Sequence, residues 1–159
     1  MGGAFACALL GPLASACVYD LRERRIPNKL TAFMAALWCA LCILLFVADP
    51  VSVQGFMVHG LVGAAVLGGG SLLLAWAFER VRGGASFGGG DVKLLFALGL
   101  YLGVSGGFVC LLVACAAALA LARVVPRTRF ANVPGSVPGQ VPFAPALFIG
   151  ALVVCIPFA

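Results

Sequence analysis

Long apolar runs alternate with short polar punctuation along this chain. The first run, Gly2 to Tyr19, is ended by Asp20-Leu-Arg-Glu-Arg-Arg25, and a second, Leu30 to Ala48, stops at Asp49-Pro50. A third spans about Val51 to Phe78 and ends at Glu79-Arg80-Val-Arg82. From about Ser86 to Ala122 the chain is apolar except for Asp91 and Lys93. A last run, Pro142 to Ala159, follows a segment rich in Arg, Pro and Gly. A helix needs about 20 apolar residues to cross a bilayer, so these runs predict membrane-spanning helices. Ser86 to Ala122 is too long for one crossing. Leu102-Gly-Val-Ser-Gly-Gly107, near its middle, predicts a tight turn and hence a helical hairpin. The expected fold is all-α, a polytopic membrane protein of about six transmembrane helices, with residues 1–159 as a single domain.

Composition supports the same class. The chain is 64% hydrophobic and 9% charged, against roughly 25% charged residues in a soluble domain. An ordinary soluble domain is excluded, and the lipid bilayer is the expected surrounding. A net charge of +5 would suggest nucleic acid in a soluble protein, but here orientation accounts for it and no nucleic-acid partner is expected. With six spans, three basic groups fall on one side: Arg22, Arg24, Arg25 and Lys29; Arg80, Arg82 and Lys93; Arg123, Arg127 and Arg129. That is what the positive-inside rule requires, and it places both termini outside. With five spans the last group would face the wrong way. Residues 2–19 carry no charge, whereas a cleaved signal has a basic leading region. Ala14-Ser15-Ala16-Cys17 is therefore read as part of the first span.

The seven cysteines all lie in apolar runs. Cys39 and Cys42 have CxxC spacing, but no second pair or histidine follows at zinc-site spacing. They read as small packing residues, and the lone His59 cannot assemble a metal site. No metal and no cofactor are expected. Gly99 and Gly103, with Gly60, Gly63 and Gly68 to Gly70, match small-residue helix interfaces.

The acids carry more information, because topology does not explain them. Asp49 beside Pro50, and Glu23 and Glu79 among arginines, read as solvated loop acids. Asp91 is different, since an ionisable group inside a span is costly and marks a functional site by default. Gly88-Gly89-Gly90 before it weakens the helix, and leaves bare backbone open to close approach and to non-helical φ values. Lys93 is either an ion-pair partner for Asp91 or a side chain snorkelling to the interface. Asp20 ends the first span on the same side, six residues before Ile26-Pro27-Asn28. Pro27 does not suit a helix interior, and Asn28 suits the start of the next helix. Two carboxylates from different spans meeting at one membrane edge suit peptide hydrolysis. Sharing a water, they do not both ionise readily. One then acts as base and the other as acid, so activity is expected to fall at both pH extremes.

Two segments carry a family resemblance. Asp20-Leu-Arg-Glu-Arg-Arg-Ile26-Pro27-Asn28 resembles the first catalytic segment of the type IV prepilin peptidases. Phe87-Gly88-Gly89-Gly90-Asp91-Val92-Lys93-Leu94 resembles their second, the GxGD motif. Pro142-Phe-Ala-Pro145 is similar to a proline-containing segment near their last span. The resemblance implies an inner-membrane aspartic endopeptidase that removes the short basic leader of pilin-like precursors at the cytoplasmic face. Asp20 and Asp91 would be catalytic, with Gly88 and Gly90 shaping the backbone and Lys93, Pro27 and Asn28 in supporting places. The partners implied are a pilin-like precursor and components of pilus assembly. A basic leader gains nothing from steering by a basic face, so recognition would rest on helix packing and on acids such as Glu23 or Glu79. Longer members of the family carry a cytoplasmic loop with paired CxxC motifs, associated with N-methylation. Nothing between Tyr19 and Thr31 offers such a loop, so the sequence looks like the short form found in tight-adherence (Flp) pilus systems or the archaeal preflagellin peptidases. Peptidase activity is expected and methyltransferase activity is not.

The rival from another class is a small ion- or proton-coupled transporter using Asp20 and Asp91 as a relay. Transporter sites lie near the midplane between repeated halves, whereas these acids sit at one edge and no repeat is visible. A second rival is a non-catalytic assembly subunit whose acids pair with arginines. A third, a GxGD protease of broader transmembrane substrates, shares the chemistry but not Ile26-Pro27-Asn28.

Overall fold

The computed structural model describes residues 2–23, 26–82, 89–124 and 143–155. The elements among them are all helical: α1 (Gly2–Glu23), α2 (Asn28–Ala48), α3 (Pro50–Ala64), a π-helical turn (Ala65–Gly69), α4 (Gly70–Arg82), α5 (Gly89–Val124) and α6 (Ala144–Cys155). Four stretches are long and apolar enough to cross a membrane: Phe5–Glu23, Asn28–Ala48, Val53–Val81 and Gly89–Leu121. The described part of α6 is apolar but only 12 residues long, roughly 18 Å. Ile43, Leu44 and Val47 of α2 and Leu72, Leu73 and Leu74 of α4 are large, apolar and exposed. Such surfaces aggregate in water and suit hydrocarbon. The chain is a multi-pass membrane protein.

Local chemistry sets the element boundaries. Ile26 and Pro27 are non-helical, and Pro27 directly precedes the first residue of α2. Asp49 closes α2, its N–H donating to the Leu45 carbonyl at 2.8 Å. The same residue opens α3, where its Oδ1 accepts the Val51 N–H at 3.1 Å. With Pro50 first in the helix, this is an aspartate N-cap followed by a proline that needs no N–H. Asp49, expected only as a loop acid, is exposed and also a cap.

Two compact units make up the chain, Met1–Leu30 with Val109–Ala159, and Thr31–Phe108. In the first, α1 packs on α6, burying Leu9, Leu13 and Ala16 on one helix and Ala144, Leu147 and Ala151 on the other. A methyl on Gly150 would collide with the Cys110 carbonyl oxygen, so glycine is what lets α6 approach the second half of α5. Met34, Trp38, Leu94 and Leu98 are buried in the second unit, where the Tyr101 hydroxyl donates to the Met34 carbonyl at 2.9 Å.

The long apolar stretch is broken near its middle, where its glycines predict a turn. Gly60 lies against Leu100, Gly63 against Gly99, and Gly68 against Phe96, so the first arm of α5 runs antiparallel to α3 and the π turn. Past the middle the order inverts, and Gly107 lies against Leu67. The chain therefore changes direction between Gly99 and Gly107. One residue breaks the helical geometry: Gly103, at φ 65° and ψ −166°. Side chains rarely adopt that φ. The turn is tighter than the whole segment Leu102 to Gly107, since residues 104–107 are already helical.

Candidate active site

Asp20 occupies the last turn and a half of α1, which continues past Tyr19 to Glu23. Its side chain is 8% exposed, one of two polar or charged side chains that are buried among the described residues. The carboxylate does not lie unpartnered. Its Oδ2 accepts the backbone N–H of Ala144, the first residue of α6, at 3.1 Å. Cys17, three residues earlier and therefore on the same face of α1, donates its Sγ–H to the Ala144 carbonyl oxygen at 3.3 Å. Helix α6 begins here because Phe143 accepts the first helical bond, from the Leu147 N–H at 3.0 Å. Pro145 sits in the first turn, where a missing N–H costs nothing.

Asp91 is half-buried in the first turn of α5. A carboxylate there is favoured by the helix N-terminus. The described part of the helix starts at Gly89, and the start expected near Ser86 lies outside the described residues. Gly89 and Gly90 are helical, so neither uses the non-helical φ values that glycine allows, and the positive-φ glycine among the described residues is Gly103. A Cβ on Gly89 would meet nothing within 4 Å. Lys93 is exposed. Phe87, Gly88 and Pro142 lie outside the described residues.

Asp20 belongs to the first unit and Asp91 to the second. Pro27 is half-buried and Asn28 is exposed at the start of α2. Glu23 and Glu79 are both exposed, and the Arg80 guanidinium stacks over the Trp76 ring at 4.8 Å. Sequence reasoning missed Ala144 and Cys17, whose contribution runs through a backbone N–H and a thiol. The available signal was Pro142-Phe-Ala-Pro145, since prolines mark a helix start.

The profile of the type IV leader peptidase family matches residues 7–123. The chain belongs to that family. Two curated relatives are named prepilin leader peptidase/N-methyltransferase, from Burkholderia pseudomallei strains 1026b and K96243. Each is 29% identical over 148 residues, which is 91% of this chain and 43% of the relative. The chain thus spans less than half the length of the leader peptidases it matches. No solved structure matches it.

Proposed function

We propose that this leader peptidase family member is a membrane-embedded aspartic endopeptidase that cleaves the short basic leader from pilin-like precursors. The observation that carries the reading is the family match over residues 7–123, a stretch that contains both Asp20 and Asp91. The burial of Asp20 and its bond to the start of α6 support it, because a loop acid needs neither. The rival transporter has no comparable support.

In the proposed reaction the two aspartates hold one water and one proton between them. The ionised carboxylate takes a proton from water as the water oxygen attacks the scissile carbonyl carbon. The protonated carboxyl gives its proton to the carbonyl oxygen, producing a neutral gem-diol. The first carboxyl then protonates the peptide nitrogen as the C–N bond breaks. A gem-diol hydroxyl returns a proton to the second carboxylate, which restores the pair. Gly89, with no side chain and open space around its Cβ position, leaves room beside Asp91 for an extended substrate backbone. Glu23, exposed one turn after Asp20, is placed to meet a basic leader.

The reading includes six crossings in the inner membrane, with both aspartates at the cytoplasmic face and both termini outside. The break at Gly103 supports the count, because two passes within α5 need a turn there. Arg22, Arg80 and Arg123, each near the end of a pass before the basic side, are exposed. The proposal covers leader cleavage and not methyl transfer, since the four residues 24–27 between α1 and α2 hold no paired CxxC loop.

Co-expression with a pilin-like precursor tests this in cells. Wild type should shorten the precursor by the mass of its leader, and the double variant Asp20→Asn/Asp91→Asn should leave it intact. An intact precursor with wild type, or a shortened one with the double variant, contradicts the proposal.

A further inference from the structure

The end of a helix is an awkward place for a carboxylate when it is the C-terminal end. Asp20 lies within one turn of the α1 C-terminus, where unpaired carbonyls leave partial negative charge. Its partner is the opposite kind of helix end. The N–H groups of a helix's first turn have no intrahelical acceptors, and they suit an anionic oxygen. Ala144 contributes such an N–H to Asp20 Oδ2 at 3.1 Å, in a buried setting. The carbonyl of the same residue is held by Cys17 Sγ at 3.3 Å. One face of α1 therefore grips both backbone polar groups of a single alanine, and that alanine is fully buried.

Few other charges compete at this junction among the described residues of α1 and α6. On α1, Tyr19, Arg22 and Glu23 flank Asp20 and are exposed. Between Ala144 and Cys155, α6 carries no Asp, Glu, Lys, Arg or His. The orientation of the Asp20 carboxyl is accordingly set by the Ala144 contact, which occupies one of its two oxygens.

Resting on the peptidase reading above, we infer that Ala144 and Cys17 are positioning residues for Asp20: the first peptide of α6 anchors Oδ2, and Oδ1 is the oxygen that exchanges protons with water and substrate. Cys17 acts one step further back, by fixing the alanine that fixes the aspartate. The segment Phe143-Ala-Pro145 is thus the aiming device of the site rather than a loop that merely leads into the last helix.

Ala144→Pro is the direct test, because proline lacks the N–H and is at home in the first position of a helix. Ala144→Gly keeps the N–H and serves as its control. Cys17→Ala removes the thiol donor and Cys17→Ser keeps a donor in its place. All four would be compared with wild type and Asp20→Asn, purified in lipid nanodiscs, for kcat, KM, melting temperature and the pH profile of kcat. Loss of one hydrogen bond to a charged group predicts a fall of about 10- to 100-fold in kcat for Ala144→Pro. KM should stay within about twofold, and the pH profile should change shape. Ala144→Gly should stay within about threefold of wild type. Cys17→Ala should fall about two- to fivefold, as suits a weak donor, and Cys17→Ser should recover. Wild-type kcat and an unchanged pH profile in Ala144→Pro would overturn the proposal. So would a lower kcat that merely follows a lower melting temperature with the profile unaltered. Should those results come with an active wild type and an inactive Asp20→Asn, the peptidase reading stands and the positioning role alone is lost. An inactive wild type removes both.

Discussion

At the scale of single residues, this molecule turns on how a buried carboxylate is satisfied. Asp20 gives the Ala144 N–H its acceptor, so the two common replacements should behave differently. Asp20→Asn keeps an oxygen for that bond and should melt within a few degrees of wild type. Asp20→Ala strands a buried N–H and should cost about 1–3 kcal/mol of stability, readable as a lower melting temperature in detergent. Equal melting of the two variants would contradict the observed bond. Asp49 gives a contrast, because its carboxyl caps α3 at an exposed position. Asp49→Ala should lose about 1 kcal/mol of stability with no change in cleavage per folded molecule. Both aspartates of the candidate site were legible in the sequence because an acid beside an apolar run is conspicuous. The Ala144 contribution was not, because it comes from a backbone group 124 residues away, and an alanine in an apolar run gives no sign of it.

At the scale of elements, glycine spacing determines which helices approach closely. A methyl on Gly63 would lie 2.5 Å from the Gly99 carbonyl oxygen, and one on Gly99 would lie 2.5 Å from that of Gly63. Gly69 and Gly70 belong to the same glycine-rich stretch, yet nothing lies within 4 Å of a methyl placed on either. Gly63→Ala and Gly99→Ala should therefore each destabilise by about 1–3 kcal/mol through overpacking. Gly70→Ala should be neutral or stabilising by up to about 1 kcal/mol, as expected for a helical glycine. Thermal melting in detergent distinguishes the two groups, and equal losses at Gly63 and Gly70 would contradict the packing described. The apolar runs foretold the helices because hydropathy and length constrain a membrane segment strongly. The π turn at Ala65–Gly69 left no periodic trace, being five residues within a continuous apolar run. Likewise, the cluster Leu102 to Gly107 showed that a turn was due without showing that Gly103 alone would make it.

At the scale of the whole molecule, the proposed function requires a positively charged face, six passes and two aspartates to share one orientation. Single cysteines placed in a variant lacking the native seven report that orientation directly. A probe at Glu23 or Arg82 should react only with reagent reaching the cytoplasmic side, and one at Ser105, just past the break at Gly103, only with reagent added outside. Labelling of Ser105 and Arg82 from the same side would contradict six passes. Family membership rests on most of the chain, while the proposed chemistry rests on two carboxylates from separate units. The decisive measurement is therefore the fate of a purified pilin-like precursor incubated with the purified protein in lipid, read by mass spectrometry. Wild type should release the leader at one peptide bond, and Asp20→Asn and Asp91→Asn should each lower the rate by about a thousandfold or more. Cleavage that persists near the wild-type rate when either aspartate is replaced would contradict the account.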